Sequence, residues 1–60
     1  MSKAGAIAIL FDWYLAQARD AGRADLDATL WADRQAQDHA QGLNRDELRL
    51  EIRRIQQSAR

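Results

Sequence analysis

The chain has no cysteine and no proline among its 60 residues, and it has only three glycines and one histidine. Without cysteine, neither a disulfide nor a thiolate metal site can form. A metal site built from histidines needs several of them at set spacings, and one histidine does not provide that. The glycines are isolated, so a glycine-rich phosphate loop is also excluded. We therefore expect no metal and no cofactor.

An excess of charge of one sign is also missing. Nine basic side chains balance nine acidic ones, so the formal net charge is zero, and the whole chain has no general attraction to nucleic acid or to anionic membranes. Residues 1–42 carry four basic and six acidic side chains, a net −2, whereas residues 43–60 carry five basic and three acidic ones, a net +2. The last third of the chain is therefore mildly basic.

The chain is short for a protein that must build its own core. Sixty residues form one domain at most, and a domain of this size buries only about 60% of the surface its unfolded chain exposes. Such small domains usually gain stability from disulfides, a metal or oligomerisation. Because the first two are excluded, we expect a homo-oligomer, or docking onto a larger protein, to complete the core.

One apolar stretch, AGAIAILFDWYLAQA at residues 4–18, dominates the sequence. As a helix that turns by about 100° per residue, it is apolar around most of its circumference. Ile9, Trp13 and Ala16 extend the apolar surface sideways and leave only a narrow strip around Asp12. A helix that is apolar nearly all round is normally buried on more than one side, so we expect part of it to contact a partner. The face predicted to pack in the core consists of Ile7, Leu10, Phe11, Tyr14, Leu15 and Ala18.

Asp12 is the most unusual residue of this stretch. We expect it to lie with Arg19 on the solvent-exposed strip, and the alternative is a salt bridge across an interface to an arginine of the third helix. The charge of Asp12 within the apolar run also argues against a signal peptide. The run is shorter than the roughly 20 apolar residues that span a bilayer, and few basic residues flank it as peripheral attachment would require. We therefore expect a cytoplasmic protein.

Capping residues divide the chain into helices. Ser2 can cap the first helix, and Gly22 can close it in the left-handed conformation. Asp25 or Asp27 is expected to cap the second helix, and Gly42 to end it as Gly22 ends the first. These signals predict helices at about residues 3–21, 25–41 and 44–58.

The start of the third helix has the clearest signal in the chain. Asn44 at the N-cap and Glu47 three residues later form a capping box, and Leu43 with Leu48 forms a hydrophobic staple. The apolar residues of this helix then recur at helical spacing, with Leu50 to one side. The resulting stripe consists of Leu48, Ile52, Ile55 and Ala59.

The second helix has an unusual apolar pattern. Leu26 and Leu30 lie one turn apart, and alanines follow at steps of four. Small side chains let two helix axes approach closely, so this alanine stripe predicts a helix-packing surface. Trp31 lies well off the stripe and is expected to be partly exposed or to contact a partner. The alanine stripe consists of Ala28, Ala32, Ala36 and Ala40.

Residues 34–54 resemble a helix-turn-helix unit. Gly42 lies in the turn, an apolar residue follows it directly, and Leu48 comes five positions later. The sequence departs from that motif at Asp38 and Glu51, where apolar residues are expected. The resemblance implies a dimeric DNA-binding regulator. Its candidate nucleic-acid contacts are Arg45, Arg49, Arg53 and Arg54.

Catalytic groups are sparse. His39, near the end of the second helix, is the single candidate base, and Asp38 beside it on a helix would not face it. We expect His39 to be an ordinary histidine, either exposed or at the C-terminal end of its helix, and we expect no enzymatic activity. The hydroxyl groups are those of Ser2, Tyr14, Thr29 and Ser58.

The sequence thus predicts an all-α fold of three short helices, either a small bundle or a helical hairpin plus a third helix. The function we expect is that of a non-enzymatic protein–protein interaction module: a small regulatory, adaptor or accessory-subunit protein that uses its first helix as interface. The alternative is the dimeric helix-turn-helix regulator. The predicted partner interface consists of Ile9, Leu10, Trp13, Tyr14 and Trp31.

Overall fold

The protein is described by a computed structural model over residues 2–58, which holds three α-helices and, within that range, no strand. The all-α fold predicted from the sequence is confirmed, and each helix boundary lies within about one residue of its expected position. The helices are α1 (Lys3–Asp20), α2 (Asp25–Gln41) and α3 (Arg45–Ser58).

Both ends of α1 follow the sequence signals. The side chain of Ser2 accepts a hydrogen bond from the amide of Gly5 at 3.1 Å. At the other end Gly22 has φ +85°, the left-handed conformation that glycine adopts without steric cost. The Gly22 amide bonds to the carbonyl of Arg19, and the Arg23 amide bonds to that of Ala18. This pair of bonds is a Schellman motif, which satisfies carbonyls left free at the helix end.

Two expected caps of α2 are wrong. The N-cap is Ala24, which offers no side-chain bond, and Asp25 and Asp27 already lie in the first helical turn. Asp27 instead pairs with Arg23 at 2.9 Å, across the start of the helix. Gly42 has φ −79°, so it ends α2 in the right-handed conformation, and the left-handed closure expected there does not form.

The capping box of α3 is confirmed in both directions. The amide of Glu47 donates to Oδ1 of Asn44 at 2.8 Å, and the amide of Asn44 donates to Oε1 of Glu47 at 3.1 Å. Leu43 packs against the core that contains the buried Leu48, as expected of a staple. Three residues between α2 and α3 therefore reverse the chain and bring α3 back onto α1.

The hydrophobic core joins all three helices. It connects the first half of α1 with the second half of α2, so these two helices run antiparallel as a hairpin, and α3 packs against α1. The predicted stripe of α3 is buried at its first three positions, and its fourth, Ala59, lies outside the described residues. The core cluster consists of Ala6, Leu10, Ala36, Ala40, Leu48, Ile52 and Ile55.

The alanine stripe of α2 is the packing surface of the hairpin. All four alanines are buried, none with more than 1% of its surface exposed. Because an alanine side chain is a single methyl group, the backbone of α1 can lie close to that of α2. The stripe therefore gives the hairpin its close contact, although each residue buries little area.

The buried face of α1 differs from the predicted one. Its buried residues are Ala6, Leu10 and Ala18, whereas Ile7 and Phe11 are only partly buried. The centre of the face is thus rotated by roughly 60° from the predicted position, at about 100° per residue. Apart from Leu10, the large apolar side chains of α1 are only partly buried and lie on the flanks of this face.

The molecule is thin, with extents of 33 × 24 × 15 Å. Two helices cannot surround α1, so its flanks keep exposed apolar surface. Within residues 2–58 no helix combines the length and the apolar character needed to cross a membrane. The large apolar residues that remain most exposed are Leu26, Leu30 and Leu50.

Candidate interaction surface

Four ring-bearing side chains form one continuous cluster on the hairpin, which we call the aromatic face: Trp13 and Tyr14 of α1 with Trp31 and His39 of α2. The Tyr14 ring lies at the centre, with its centroid 5.0 Å from that of Trp13, 5.7 Å from Trp31 and 5.9 Å from His39. All three pairs meet edge to face, a favourable arrangement for aromatic rings. All four side chains are only partly buried. The four rings therefore hold one another in place, and all of them remain accessible from solvent.

The helical repeat explains why α2 contributes these two rings. Trp31, Gln35 and His39 follow one another at steps of four, and all three are partly buried. They form a row beside the alanine stripe, on the border between core and solvent. Tyr14 reaches this row from α1 because the two helices run antiparallel.

A hydrogen bond fixes the centre of the face. The hydroxyl oxygen of Tyr14 lies 2.8 Å from Nδ1 of His39. With the ring proton on Nε2, the hydroxyl donates to Nδ1, and the Nε2–H is left to face other groups. Burial, and then the negative charge of Glu51, raise the pKa of the Tyr14 hydroxyl above its ordinary value. Both effects disfavour the tyrosinate.

Glu51 brings α3 to the same cluster. Its Oε2 lies 3.9 Å from Nε2 of His39, while its Oε1 accepts a hydrogen bond from Arg54. The side chains of His39 and Glu51 are each only 21% exposed. His39 lies in the last turn of α2, so the expectation of a histidine at the C-terminal end of the helix is confirmed, whereas the alternative of an exposed histidine is wrong. His39 and Glu51 both lie where the three helices meet.

Arg23 borders the other end of the aromatic face. Its guanidinium carbon lies 5.0 Å from the centroid of the Trp31 ring, within the range of a cation–π contact. The same guanidinium bonds to Asp27. An exposed ion pair of this kind contributes little to stability, so the contact with the Trp31 ring is the main link between Arg23 and the aromatic face.

Of the predicted interface residues, four are accessible and one is not. Ile9 and Trp13 lie one turn apart on the flank of α1, and both are partly buried, as are Tyr14 and Trp31. Leu10 has no exposed surface, so it belongs to the core and cannot contact a partner in this fold. The rotation of the α1 face explains the change, because the true centre of that face lies close to Leu10.

The sequence did not reveal that His39 belongs to the aromatic face or that Glu51 lies beside it. The step of four from Trp31 to His39, beside the alanine stripe, was a usable signal that His39 is partly buried. No comparable signal identified Tyr14 as its partner, because that contact depends on how α1 is rotated against α2. The position of Glu51 depends in turn on how α3 packs onto α1.

The exposed strip of α1 is as expected, since Asp12 and Arg19 are both exposed. The four candidate nucleic-acid contacts on α3 are exposed as well. Three of them follow at steps of four, so they form one line along the helix, whereas Arg54 bonds to Glu51. The line consists of Arg45, Arg49 and Arg53.

The chain was compared with protein-family models, with curated proteins and with solved structures, and none of them matched. The geometry of the surface is therefore the basis for a functional argument. Its main feature is a set of ordered, accessible aromatic rings on a very small domain.

Proposed function

We propose that this protein is a non-enzymatic interaction module that binds another protein through its aromatic face. The observation that carries the proposal is the continuous edge-to-face contact of Trp13, Tyr14 and Trp31, all of them partly exposed. Tryptophan and tyrosine are the residues most enriched among those that dominate binding energy at protein interfaces. A small regulatory, adaptor or accessory-subunit protein would act in this way.

The order of the face supports the proposal. Tyr14 is held by its bond to His39, and Trp31 by contacts with Tyr14 and Arg23. Side chains that are already fixed lose little conformational entropy when a partner binds. Ile9, one turn before Trp13, adds apolar area beside the rings.

The partner we propose is a second copy of the chain. A standard interface buries about 800 Å² on each side, which is a small part of the 4422 Å² of surface that the molecule exposes. The zero net charge means that two copies do not repel each other. A two-fold interface is self-complementary, so the aromatic face of one copy would pack against the aromatic face of the other.

Sedimentation equilibrium over a range of concentrations tests this assembly. We expect a dimer that Trp13→Ala or Trp31→Ala weakens by about 1,000-fold, because a two-fold interface loses the contact, about 2 kcal/mol, in both copies. Leu30→Ala is the matched control, because Leu30 is 63% exposed on α2 but lies outside the aromatic face. A monomer at every concentration, or an equal effect of Leu30→Ala, would contradict the homodimer.

Nucleic-acid binding by α3 is the second candidate, and the exposed line of Arg45, Arg49 and Arg53 supports it. Asp46 and Glu47 in the first turn oppose it, because anions there repel phosphates. Fluorescence anisotropy with a labelled duplex tests this function at two salt concentrations. Binding that falls steeply with salt, through counterion release, and that weakens in Arg53→Gln would support it. Binding that responds neither to the salt concentration nor to Arg53→Gln would argue against this function.

A further inference from the structure

A cavity of about 230 Å³ opens between the start of α1 and the first half of α3. It lies apart from the aromatic face and shares no residue with it. Both helices contribute to its wall, together with the residue that precedes the capping box. The lining residues are Ser2, Lys3, Ala6, Leu43, Arg45, Leu48 and Arg49.

The floor of the cavity is apolar. Ala6 is 2% exposed and Leu48 is 8% exposed, and both belong to the core cluster. Leu43 is partly buried against the same cluster. An apolar group placed on this floor would leave water, which is favourable in proportion to the area covered.

The rim of the cavity is cationic. Lys3 comes from α1, and Arg45 and Arg49, one turn apart, come from α3; all three side chains are exposed. None of the described lining residues is acidic. Three basic residues from two helices therefore line one opening, in a chain whose net charge is zero.

The local fold creates this arrangement. The capping box makes Arg45 the first residue of α3, and the Ser2 cap makes Lys3 the first residue of α1. The oxygen of Ser2 accepts from the Gly5 amide, while its own O–H remains a donor. Two acids, Asp46 and Glu47, lie between Arg45 and Arg49 in the first turn of α3, but neither lines the cavity. The Oε1 of Glu47 accepts from the Asn44 amide within the cap.

We infer that this cavity binds a small amphiphilic carboxylate, with its apolar body on the floor and its carboxylate facing the rim. Arginine suits a carboxylate because its planar group can donate two parallel hydrogen bonds. An inorganic anion would leave the apolar floor uncovered. The volume is below the range of about 300–1,000 Å³ typical of drug-sized ligands, so the ligand is short. Its carboxylate could belong to a free short-chain acid or to the C-terminus of a peptide.

An NMR titration of the full ¹⁵N-labelled chain tests the inference, with octanoate as the probe. We expect saturable shifts in the amides of the lining residues, with a dissociation constant of about 1 mM, the range for a ligand of this size. Two further probes separate the parts of the site, since 1-octanol lacks the charge and acetate lacks the apolar body. Both should bind at least five-fold more weakly. Equal binding of octanoate and 1-octanol, or no saturable shift with octanoate, would overturn the inference.

A pair of variants on α3 provides the matched control. Arg49→Gln and Arg53→Gln remove the same charge from exposed positions one turn apart, but only Arg49 lines the cavity. We expect Arg49→Gln to weaken octanoate binding about three- to five-fold, the effect of an exposed charge pair, and Arg53→Gln to leave it unchanged. Equal effects of the two variants would mean that the general field of the helix, and not the cavity, attracts the anion.

The source of the carboxylate is tested with a short peptide that ends in leucine, with either a free or an amidated C-terminus. A free-acid peptide that binds more tightly than octanoate supports a peptide end as the ligand, whereas the reverse order supports a free acid. If the amidated peptide binds as well as the free-acid peptide, the proposed recognition of the carboxylate is wrong. These outcomes are independent of the oligomeric state.

Discussion

The hydroxyl oxygen of Tyr14 and Nδ1 of His39 lie 2.8 Å apart, so a single hydrogen bond links the middle of α1 to the end of α2. The other ring nitrogen of His39 faces Glu51 of α3. The side chain of His39, on α2, thus has a polar neighbour on each of the other two helices. In a domain whose described buried residues are all apolar, this partly exposed network provides the polar contact between helices.

Removing the hydroxyl tests what this bond contributes. We expect Tyr14→Phe to lower the free energy of unfolding by about 0.5–1.5 kcal/mol, the net value of a typical hydrogen bond, because the ring and its aromatic contacts remain. Urea unfolding followed by circular dichroism at neutral pH measures the change. In the double variant with His39→Ala, the Tyr14→Phe change should have much less effect. Additive effects of the two changes would show that the bond does not contribute.

Alkaline pH should weaken the fold through the same residue. The folded state raises the pKa of Tyr14 above the ordinary value of 10.0. Its protonated form is therefore favoured by folding, and the resulting stability is complete below about pH 10 and is lost as the pH rises through the raised pKa. Tyr14 is the single tyrosine of the chain, so ultraviolet absorbance of tyrosinate reports on it alone.

We expect the midpoint of this titration to lie above 10.0 in the folded protein and to fall to its ordinary value in urea. Glu51→Gln should lower the folded midpoint by part of the shift, because burial is the larger cause. The same midpoint in the folded and the unfolded chain would contradict the assignment.

The two interhelical glycines should respond in opposite ways to alanine. Gly22→Ala must adopt φ +85°, which costs about 1 kcal/mol for a residue with a Cβ. A Cβ at Gly42 would meet only carbonyl oxygens at 3.7 and 3.8 Å, ordinary contact distances, and its φ is already right-handed. Gly42→Ala should therefore leave the protein unchanged or stabilise it by about 0.4–1 kcal/mol. Thermal unfolding of both variants measures the difference, and equal effects would refute it.

A larger residue in the alanine stripe should destabilise the packing of α1 against α2. Ala36 has no exposed surface, so Ala36→Leu forces an overpacked side chain between α1 and α2, at a cost of about 1–3 kcal/mol. Ala16→Leu, on the exposed side of α1, is the control and should change stability by less than about 0.5 kcal/mol. Denaturant unfolding of the two variants measures these costs. An equally stable Ala36→Leu protein would show that the contact is loose.

The elements that could be predicted from the sequence are those set by local interactions. The Ser2 cap, the Gly22 closure and the Asn44–Glu47 box each involve residues at most five apart in sequence, and all three form as expected. The burial of the alanine stripe was predictable as well, because four alanines at equal steps of four residues fix one face of a helix.

What could not be predicted depends on how helices face each other. The rotation of α1 is invisible in its sequence, because the helix is apolar nearly all round and offers several faces of similar hydrophobicity. That rotation decides that Leu10 is buried and that Tyr14 meets His39. The N-cap of α2 was misassigned for a different reason. Two candidate aspartates follow Ala24, and both of them lie within the first turn of the helix.

The alanine stripe also limits how this sequence can diverge. At its four positions a larger residue would push the hairpin apart, so only alanine, glycine or serine fits, and of these alanine has the highest helix propensity. The exposed positions between them carry no such restriction. A distant homologue with this fold should therefore keep the spacing of small residues at 28, 32, 36 and 40 after most of its other identities are lost. A search for such a homologue should use this four-residue period of small residues.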